Sequence, residues 1–247
     1  MIDPKNIRAV LFDFGGTLGY DEPAYAEGFA KMISAAGYPV DLALYSEASE
    51  TVKETQPERP RDLEPWLEWR EGYTAELLRR FGVPDGKVPE MMMRVKTRFR
   101  YYSRAACYTE TKFVLRTLRR LGYVVGVISN IAPPLPLVLE ELNIDRYLHF
   151  AIASDTFGVA KPDPSIFHEG VRLAGFPAEQ CMYVGDDPGA DVVGSSGIGM
   201  QPCFINRHGH NLDRNDTLVV TNLVEILDWL GVDCWSDEDQ HDFVPSR

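Results

Sequence analysis

A chain of 247 residues, 45% of them hydrophobic and 25% charged, holds enough apolar material for one substantial core and a smaller satellite domain, which excludes a disordered chain and a disulfide-stapled mini-protein. Its 37 acidic against 25 basic residues leave a formal charge of −12, which disfavours nucleic acid and anionic membrane as partners and leaves small molecules. Cys107, Cys181, Cys203 and Cys234 form no CxxC pair, residues 1–6 lack the apolar core of a signal peptide, and no run reaches the roughly 18 apolar residues of a membrane span, so reduced thiols and a cytoplasmic address are expected.

Residues 7–14 (Ile-Arg-Ala-Val-Leu-Phe-Asp-Phe) form a short, nearly continuous apolar run closed by Gly15 and Gly16. That pattern predicts a strand buried on both faces, with Asp13 at its exit. From about Tyr20 to Arg104 the period becomes helical. Tyr25, Phe29, Met32 and Ile33 line one face before Gly37, and Leu63, Trp66, Leu67, Tyr73, Leu77 and Leu78 line another before Gly82. Two more helices are predicted at 41–55 and 88–102, and the breaks at Pro39, 57–60 and 84–86 make the whole of 20–104 a small helical bundle inserted after the first strand. Its aromatic residues, among them Trp66, Trp69, Tyr73, Phe99, Tyr101 and Tyr102, are read as packing between these helices in preference to an apolar pocket or a dimer face, and a monomer or homodimer is expected.

Helix and strand alternate again from Thr111. A helix carrying Val114, Leu118 and Leu121 ends at Gly122 and leads into a strand at 123–128. Helix 135–142 precedes strand 149–153, and helix 163–174 precedes strand 181–184; strands near 202–205 and 218–220 and a helix over 222–230 follow. This alternation implies right-handed crossovers and a parallel sheet, hence an α/β fold. Residues 236–247 read as a polar, mobile tail.

Several of these strands end on residues that carry chemistry. Asp13, followed by glycines, is placed to present its carboxylate to a substrate while backbone N–H groups cradle an anion, although an aspartate there also serves as a turn or helix cap. Thr17 either caps the turn or holds the Asp13 loop in shape. Ser129-Asn130 after an apolar strand is either a helix N-cap or an anion site. Lys161 is either a solvated loop lysine or, in a crevice shared with Asp13, the ammonium that keeps that carboxylate ionised and neutralises a substrate anion. Asp186 and Asp191, spaced Gly-Asp-x4-Asp after a strand, concentrate more negative charge beside Asp13 than Lys161 balances. That excess calls for a divalent cation, and hard oxygen donors without a thiolate or imidazole cluster favour Mg²⁺ over zinc. Arg207-His208-Gly209-His210 reads as a surface turn.

The segments Val-Leu-Phe-Asp-Phe-Gly-Gly-Thr-Leu, Val-Ile-Ser-Asn, Lys-Pro-Asp-Pro-Ser-Ile-Phe and Val-Gly-Asp-Asp-Pro-Gly-Ala-Asp, followed by Gly194 and Gly199-Met200, span about residues 7–230. In this order the chain resembles the haloacid dehalogenase-like hydrolase superfamily, in the subfamily with a helical cap between the first two motifs. The resemblance implies a Rossmann-like three-layer core over 1–19 and 105–235, a helical cap over 20–104, and a small phosphorylated metabolite as substrate. It implies Asp13 as nucleophile, Lys161 as its charge partner, Thr17 and Ser129 with its neighbour Asn130 as the substrate-binding and positioning set, and Asp13, the Gly15 carbonyl, Asp186 and Asp191 as ligands of Mg²⁺.

One position departs from the pattern. The family's phosphatases carry, two residues after the nucleophile, an aspartate that protonates the leaving group and then activates water, and Gly15 does neither. Losing a positioned acid and base forfeits about 10² to 10⁴ in rate. The expectation is therefore a phosphatase with impaired proton transfer; Asp187, Asp21 or a cap tyrosine are the available replacements. The alternatives are a non-catalytic or very weak phosphate binder, a haloacid dehalogenase, or a phosphonate hydrolase. The retained acidic pair weighs against dehalogenation, which needs no metal. Phosphonoacetaldehyde hydrolysis needs a Schiff-base lysine in the cap, where Lys31, Lys53, Lys87 and Lys96 read as surface residues.

Overall fold

The computed structural model describes residues 3–21, 25–57, 60, 63–98, 105–131, 135–207, 209 and 217–232. The chain divides into two compact units, one made of Met1–Tyr20 with Ala106–Arg247 and the other of Asp21–Ala105. In chain order, β1 (Ala9–Phe12) and β2 (Gly19–Asp21) precede the helices α1 (Tyr25–Ala35), α2 (Leu42–Thr55), α3 (Leu63–Arg80) and α4 (Val88–Arg98). Then follow β3 (Ala105–Cys107), α5 (Thr111–Arg120), β4 (Val124–Ser129), α6 (Leu135–Glu141), β5 (Phe150–Ala153), α7 (Ser154–Phe157) and α8 (Pro164–Ala174). β6 (Cys181–Gly185), α9 (Gly194–Gly197), β7 (Gln201–Ile205), β8 (Leu218–Val220) and α10 (Val224–Trp229) complete it.

The helical unit folds around Phe29, Ile33, Tyr45, Leu77, Leu78 and Phe81, all buried. Asp41 starts α2 by accepting the Leu44 N–H at 2.8 Å, which satisfies one of the donors a helix leaves open at its first turn. Tyr45 stacks on Phe81 at 6.2 Å between ring centres and Trp69 on Tyr73 at 5.6 Å, so these aromatics do pack within the unit. Phe99, Tyr101 and Tyr102 lie outside the described residues.

The other unit is an α/β, Rossmann-like fold built on a six-stranded sheet in the order β5-β4-β1-β6-β7-β8. Every neighbouring pair is parallel; Phe12, for example, faces Val127 on one side and Val184 on the other. β1 holds the centre because Ala9, Val10, Leu11 and Phe12 are apolar on both faces and fully buried, and each large side chain so buried contributes about 1.5–3 kcal/mol. The chain moves outward from β1 to β4 and β5, returns to the other side of β1 at β6, and continues to β7 and β8. That reversal opens a crevice above the carboxyl ends of β1 and β6, which is where open α/β sheets bind ligands.

The strand predicted over 7–14 ends at Phe12, so Asp13 is the first residue of the turn, tied to the sheet by its N–H to the Val184 carbonyl at 2.8 Å. The paired strands β2 and β3 were not foreseen, because three residues are too few to show an alternating pattern. The helix expected over 222–230 spans Val224–Trp229, and the tail at 236–247 lies outside the described residues. Among the described residues, no helix is long and apolar enough to cross a membrane.

Candidate active site

Asp13 stands at the central strand's exit, 7% exposed, and both hydrogen bonds described for its carboxylate fall on Oδ1. The Ser129 hydroxyl donates to it at 2.8 Å from the end of β4, and Lys161 Nζ donates at 2.8 Å from the segment after α7. Residues 116 and 148 positions away in the chain thus converge on one oxygen. The N-cap reading of Ser129 gives way here to a direct bond with the Asp13 carboxylate.

Lys161 is no solvated loop residue: its side chain is only 3% exposed. Its ammonium has three N–H donors and three acceptors surround it, Asp13 Oδ1, Asp191 Oδ1 at 2.6 Å and the Tyr183 hydroxyl at 2.9 Å. Burial alone would lower the Lys161 pKa, but Asp13 and Asp191 outweigh it and hold the pKa above its ordinary value. The Tyr183 hydroxyl passes the chain on to the Ile128 carbonyl at 2.7 Å, and burial, with Asp191 and Asp13 adding to it, pushes its own pKa well up. The Asn130 amide is spent on Lys161 in both directions, accepting from its backbone N–H at 2.8 Å and donating to its carbonyl at 3.0 Å. Asn130 therefore orients the lysine-bearing turn.

Asp186 and Asp191 reach the crevice from the turn after β6. Asp187 caps that turn by accepting the N–H groups of Gly189 and Ala190, each at 2.7 Å. The turn is a wide one, in which Asp187 O accepts from both Asp191 N and Val192 N, and the extra width carries Asp191 back beneath the sheet edge. The Asp191 carboxylate then takes Lys161 on Oδ1 and the Asp187 N–H on Oδ2 at 3.0 Å. Burial raises its pKa to about 6, against the opposing pull of Lys161 and with help from Asp13. Asp186 is raised as well, by burial first and the Asp13 charge second.

Two glycines are required by these carboxylates. A Cβ on Gly185 would overlap the Asp191 carboxylate, and a Cβ on Gly16 would overlap that of Asp186. Gly16 also has φ of 71°, a conformation that side-chain-bearing residues seldom adopt. Gly15 differs from both: it is exposed, and among the described residues a Cβ there meets no atom within 4 Å. Thr17 is fully buried, and its hydroxyl has no hydrogen-bond partner among the described residues.

One oxygen from each of Asp13, Asp186 and Asp191 lies within 4.8 Å of the other two. Three hard carboxylate donors against the single ammonium of Lys161 fit a Mg²⁺ ion in both donor type and charge.

Some residues escaped the sequence reading. Tyr183 was absorbed into a strand; its signal is a hydroxyl-bearing ring in the otherwise aliphatic Met-Tyr-Val run. Arg207, read as part of a surface turn, has a side chain only 10% exposed, paired with Glu110 and laid over the Tyr108 ring. The Arg207 guanidinium donates to the carbonyls of Gly16 and Thr17, about 190 residues earlier, which no local pattern reveals. His208 and His210 lie outside the described residues, and the side chain of Asp21 is likewise not described.

Residues 7–198 match the haloacid dehalogenase-like hydrolase family. The chain is 32% identical to the glyceraldehyde 3-phosphate phosphatase of Methanopyrus kandleri over 211 residues, which cover 81% of this chain and 84% of that protein. It is 25% identical to the phosphoglycolate phosphatase of Pseudomonas fluorescens, over 89% of this chain and 78% of that one. Among solved structures, a 2-haloacid dehalogenase from Pseudomonas syringae superposes with a TM-score of 0.61 at 24% identity, covering 91% of this chain and 98% of that one, and shares the fold.

Proposed function

Starting from the chain's membership of the haloacid dehalogenase-like hydrolase family, we propose that it is a Mg²⁺-dependent phosphatase of small phosphorylated metabolites that uses Asp13 as nucleophile. The observation that carries the reading is the double grip on Asp13 Oδ1 by Ser129 and Lys161, at 2.8 Å each, inside a trio of carboxylates at the sheet's crevice. Relatives named as phosphatases support the substrate class.

With Oδ1 held, Oδ2 is the attacking oxygen. The bond from Oδ2 to phosphorus forms as the bond from phosphorus to the leaving oxygen breaks, giving an aspartyl-phosphate. Lys161 sets a positive charge against Asp13 and fixes its rotamer, and Asp191 and Tyr183 fix Lys161. Ser129 orients the same oxygen, and the buried Thr17 hydroxyl is available to the phosphate-binding set. Asp13, the Gly15 carbonyl, Asp186 and Asp191 would hold Mg²⁺, which supplies charge neutralisation for a phosphate dianion entering a crevice of net negative charge. The Asp21–Ala105 unit is assigned the family's capping role and with it the choice of substrate.

Gly15 sets the chemistry's limit. No side chain there protonates a departing alkoxide or takes a proton from the water that must hydrolyse the aspartyl-phosphate, so leaving groups that depart without a proton are favoured and dephosphorylation is slow. The crowding of three carboxylates disfavours the dehalogenase reading, because a haloacid is itself an anion with no charge to spare for a metal.

The test is leaving-group release from para-nitrophenyl phosphate and acetyl phosphate at high enzyme concentration, with Mg²⁺ or EDTA, beside Asp13→Asn. A burst followed by slow turnover, lost in EDTA and in Asp13→Asn, is expected. Release that is linear from the first turnover removes the slow second step, and silence with both donors brings the non-catalytic phosphate binder forward.

A further inference from the structure

Three consecutive carbonyls on the turn beyond Asp13 accept hydrogen bonds from remote parts of the chain. Arg207, two residues past β7, donates from Nε to Gly16 O at 3.2 Å and from Nη2 to Thr17 O at 2.9 Å. Leu18 O accepts the Thr111 hydroxyl at 2.7 Å and the Tyr108 N–H at 3.2 Å. Arg207 is gripped in turn: its Nη2 lies 2.8 Å from Glu110 Oε1, and its guanidinium carbon stands 3.5 Å from the centre of the Tyr108 ring. The segment 108–111 thus holds both the turn and the arginine that holds the turn.

The turn does not need Arg207 to close. Leu18 N and Gly19 N both donate to Phe14 O at 2.9 Å, and Gly16 N donates to Gly19 O at 2.8 Å. Burying a guanidinium among carbonyls carries a desolvation penalty, relieved here by Glu110 and the Tyr108 face. What closure leaves loose is the attitude of Gly15-Gly16, the pair of residues with the greatest backbone freedom in the site. A planar, permanently charged fork can hydrogen-bond two adjacent carbonyls while its charge pairs with a carboxylate, which a lysine ammonium cannot do in one geometry.

We infer that Arg207 is a positioning residue: through the Gly16 and Thr17 carbonyls it fixes the glycine turn that carries Asp13 and the Gly15 carbonyl, and Glu110 and Tyr108 fix Arg207. The inference rests on the reading of Asp13 as nucleophile and adds the element that holds the Asp13 turn from β7.

Arg207→Met, Arg207→Lys and Glu110→Gln are compared with the wild type in two measurements. Amide hydrogen exchange at Gly16 and Leu18 reads the clamp without reference to activity; exchange at least about tenfold faster in Arg207→Met is expected, and wild-type protection overturns the assignment. Phosphate release from acetyl phosphate at saturating Mg²⁺ reads its consequence, with kcat about 10- to 100-fold lower in Arg207→Met and KM within about threefold of wild type. Arg207→Lys and Glu110→Gln fall between the two. A kcat per folded molecule equal to wild type overturns the positioning role, as does a loss confined to KM. If Arg207→Met does not fold, the other two variants carry the same measurements. If the wild type itself shows no Asp13-dependent release, the nucleophile reading fails, and the exchange measurement alone upholds or overturns the clamp.

Discussion

The two sides of the Asp13 turn are built in opposite ways. Toward β4 and β6 the site is closed: Lys161 is buried with all three N–H groups bonded, and Ser129, Tyr183 and Asp191 have specific partners. Toward Gly15 it is open, with an exposed residue and, among the described residues, no atom within 4 Å of where a side chain would begin. The difference separates two functions that such a site normally combines. Holding the carboxylate proposed as nucleophile in one orientation is a matter of fixed charge and hydrogen bonds, and that part is complete. Moving protons to a leaving group and from water needs a titratable group at the open side, and that part is missing at Gly15.

Breaking the closed side should produce the largest effect. Lys161→Met leaves Asp13 and Asp191 buried against each other without their shared cation, and breaking a buried pair in this way costs about 3–5 kcal/mol. Activity should fall further than in any other variant that keeps Asp13, because the carboxylate then loses one of the two donors that orient it. Tyr183→Phe removes a single bond on each side of the hydroxyl and should cost only about 1–3 kcal/mol. Urea unfolding of the two variants checks the order; equal stability of Lys161→Met and wild type would mean that the closed side is not held by its lysine.

A comparison of neighbours sharpens the contrast. Gly15→Asp enters open space at a residue whose backbone has no left-handed φ, so its stability should stay within about 0.5 kcal/mol of wild type while turnover of an alkyl phosphate rises about tenfold or more. Gly16→Ala meets the Asp186 carboxylate at a φ of 71° and should cost about 1–3 kcal/mol and weaken Mg²⁺ binding. Thermal unfolding and steady-state rates on both variants provide the check. No gain from a folded Gly15→Asp would mean that another acid already serves the open side.

The two adjacent glycines also show where sequence reading stops. Asp13, Ser129 and Asp186 were legible because each stands at or just past the end of a strand, and strand ends converge in a parallel sheet, whereas the roles of Lys161, beyond α7, and Asp191, inside the turn after β6, were picked out by the family resemblance. The letters of Gly15 and Gly16 are identical, yet one is forced by a carboxylate and a backbone angle and the other by nothing in the fold. Arg207 was illegible because its role depends on carbonyls 190 and 191 positions away. The bonds of the Asn130 amide to the backbone of Lys161 were illegible, because only the meeting of β4 with the 158–163 segment creates them.

The smallest effect expected is in the pH dependence, and its sign follows from the two raised aspartates. Burial is the leading cause for both, so the folded protein retains protons on Asp186 and Asp191 at pH values where the unfolded chain has released them. Stability therefore falls as pH rises from the ordinary carboxylate range near 4 toward the Asp191 value of about 6, and is lowest above it. Mg²⁺ needs the ionised carboxylates, so its stabilising effect should grow over the same window. One pH unit below the Asp191 value removes about tenfold in apparent affinity, or about 1.4 kcal/mol, and at about 2–4 °C per kcal/mol for a chain of this size the gap in Tm between Mg²⁺ and EDTA should widen by about 4 °C from pH 5 to pH 7. Asp191→Asn should flatten both the decline in EDTA and the growth of the gap, because the amide carries no charge to relieve. A gap that is constant with pH in the wild type would place metal binding away from these carboxylates, and the closed side would then be a charge cluster that Lys161 alone has to satisfy.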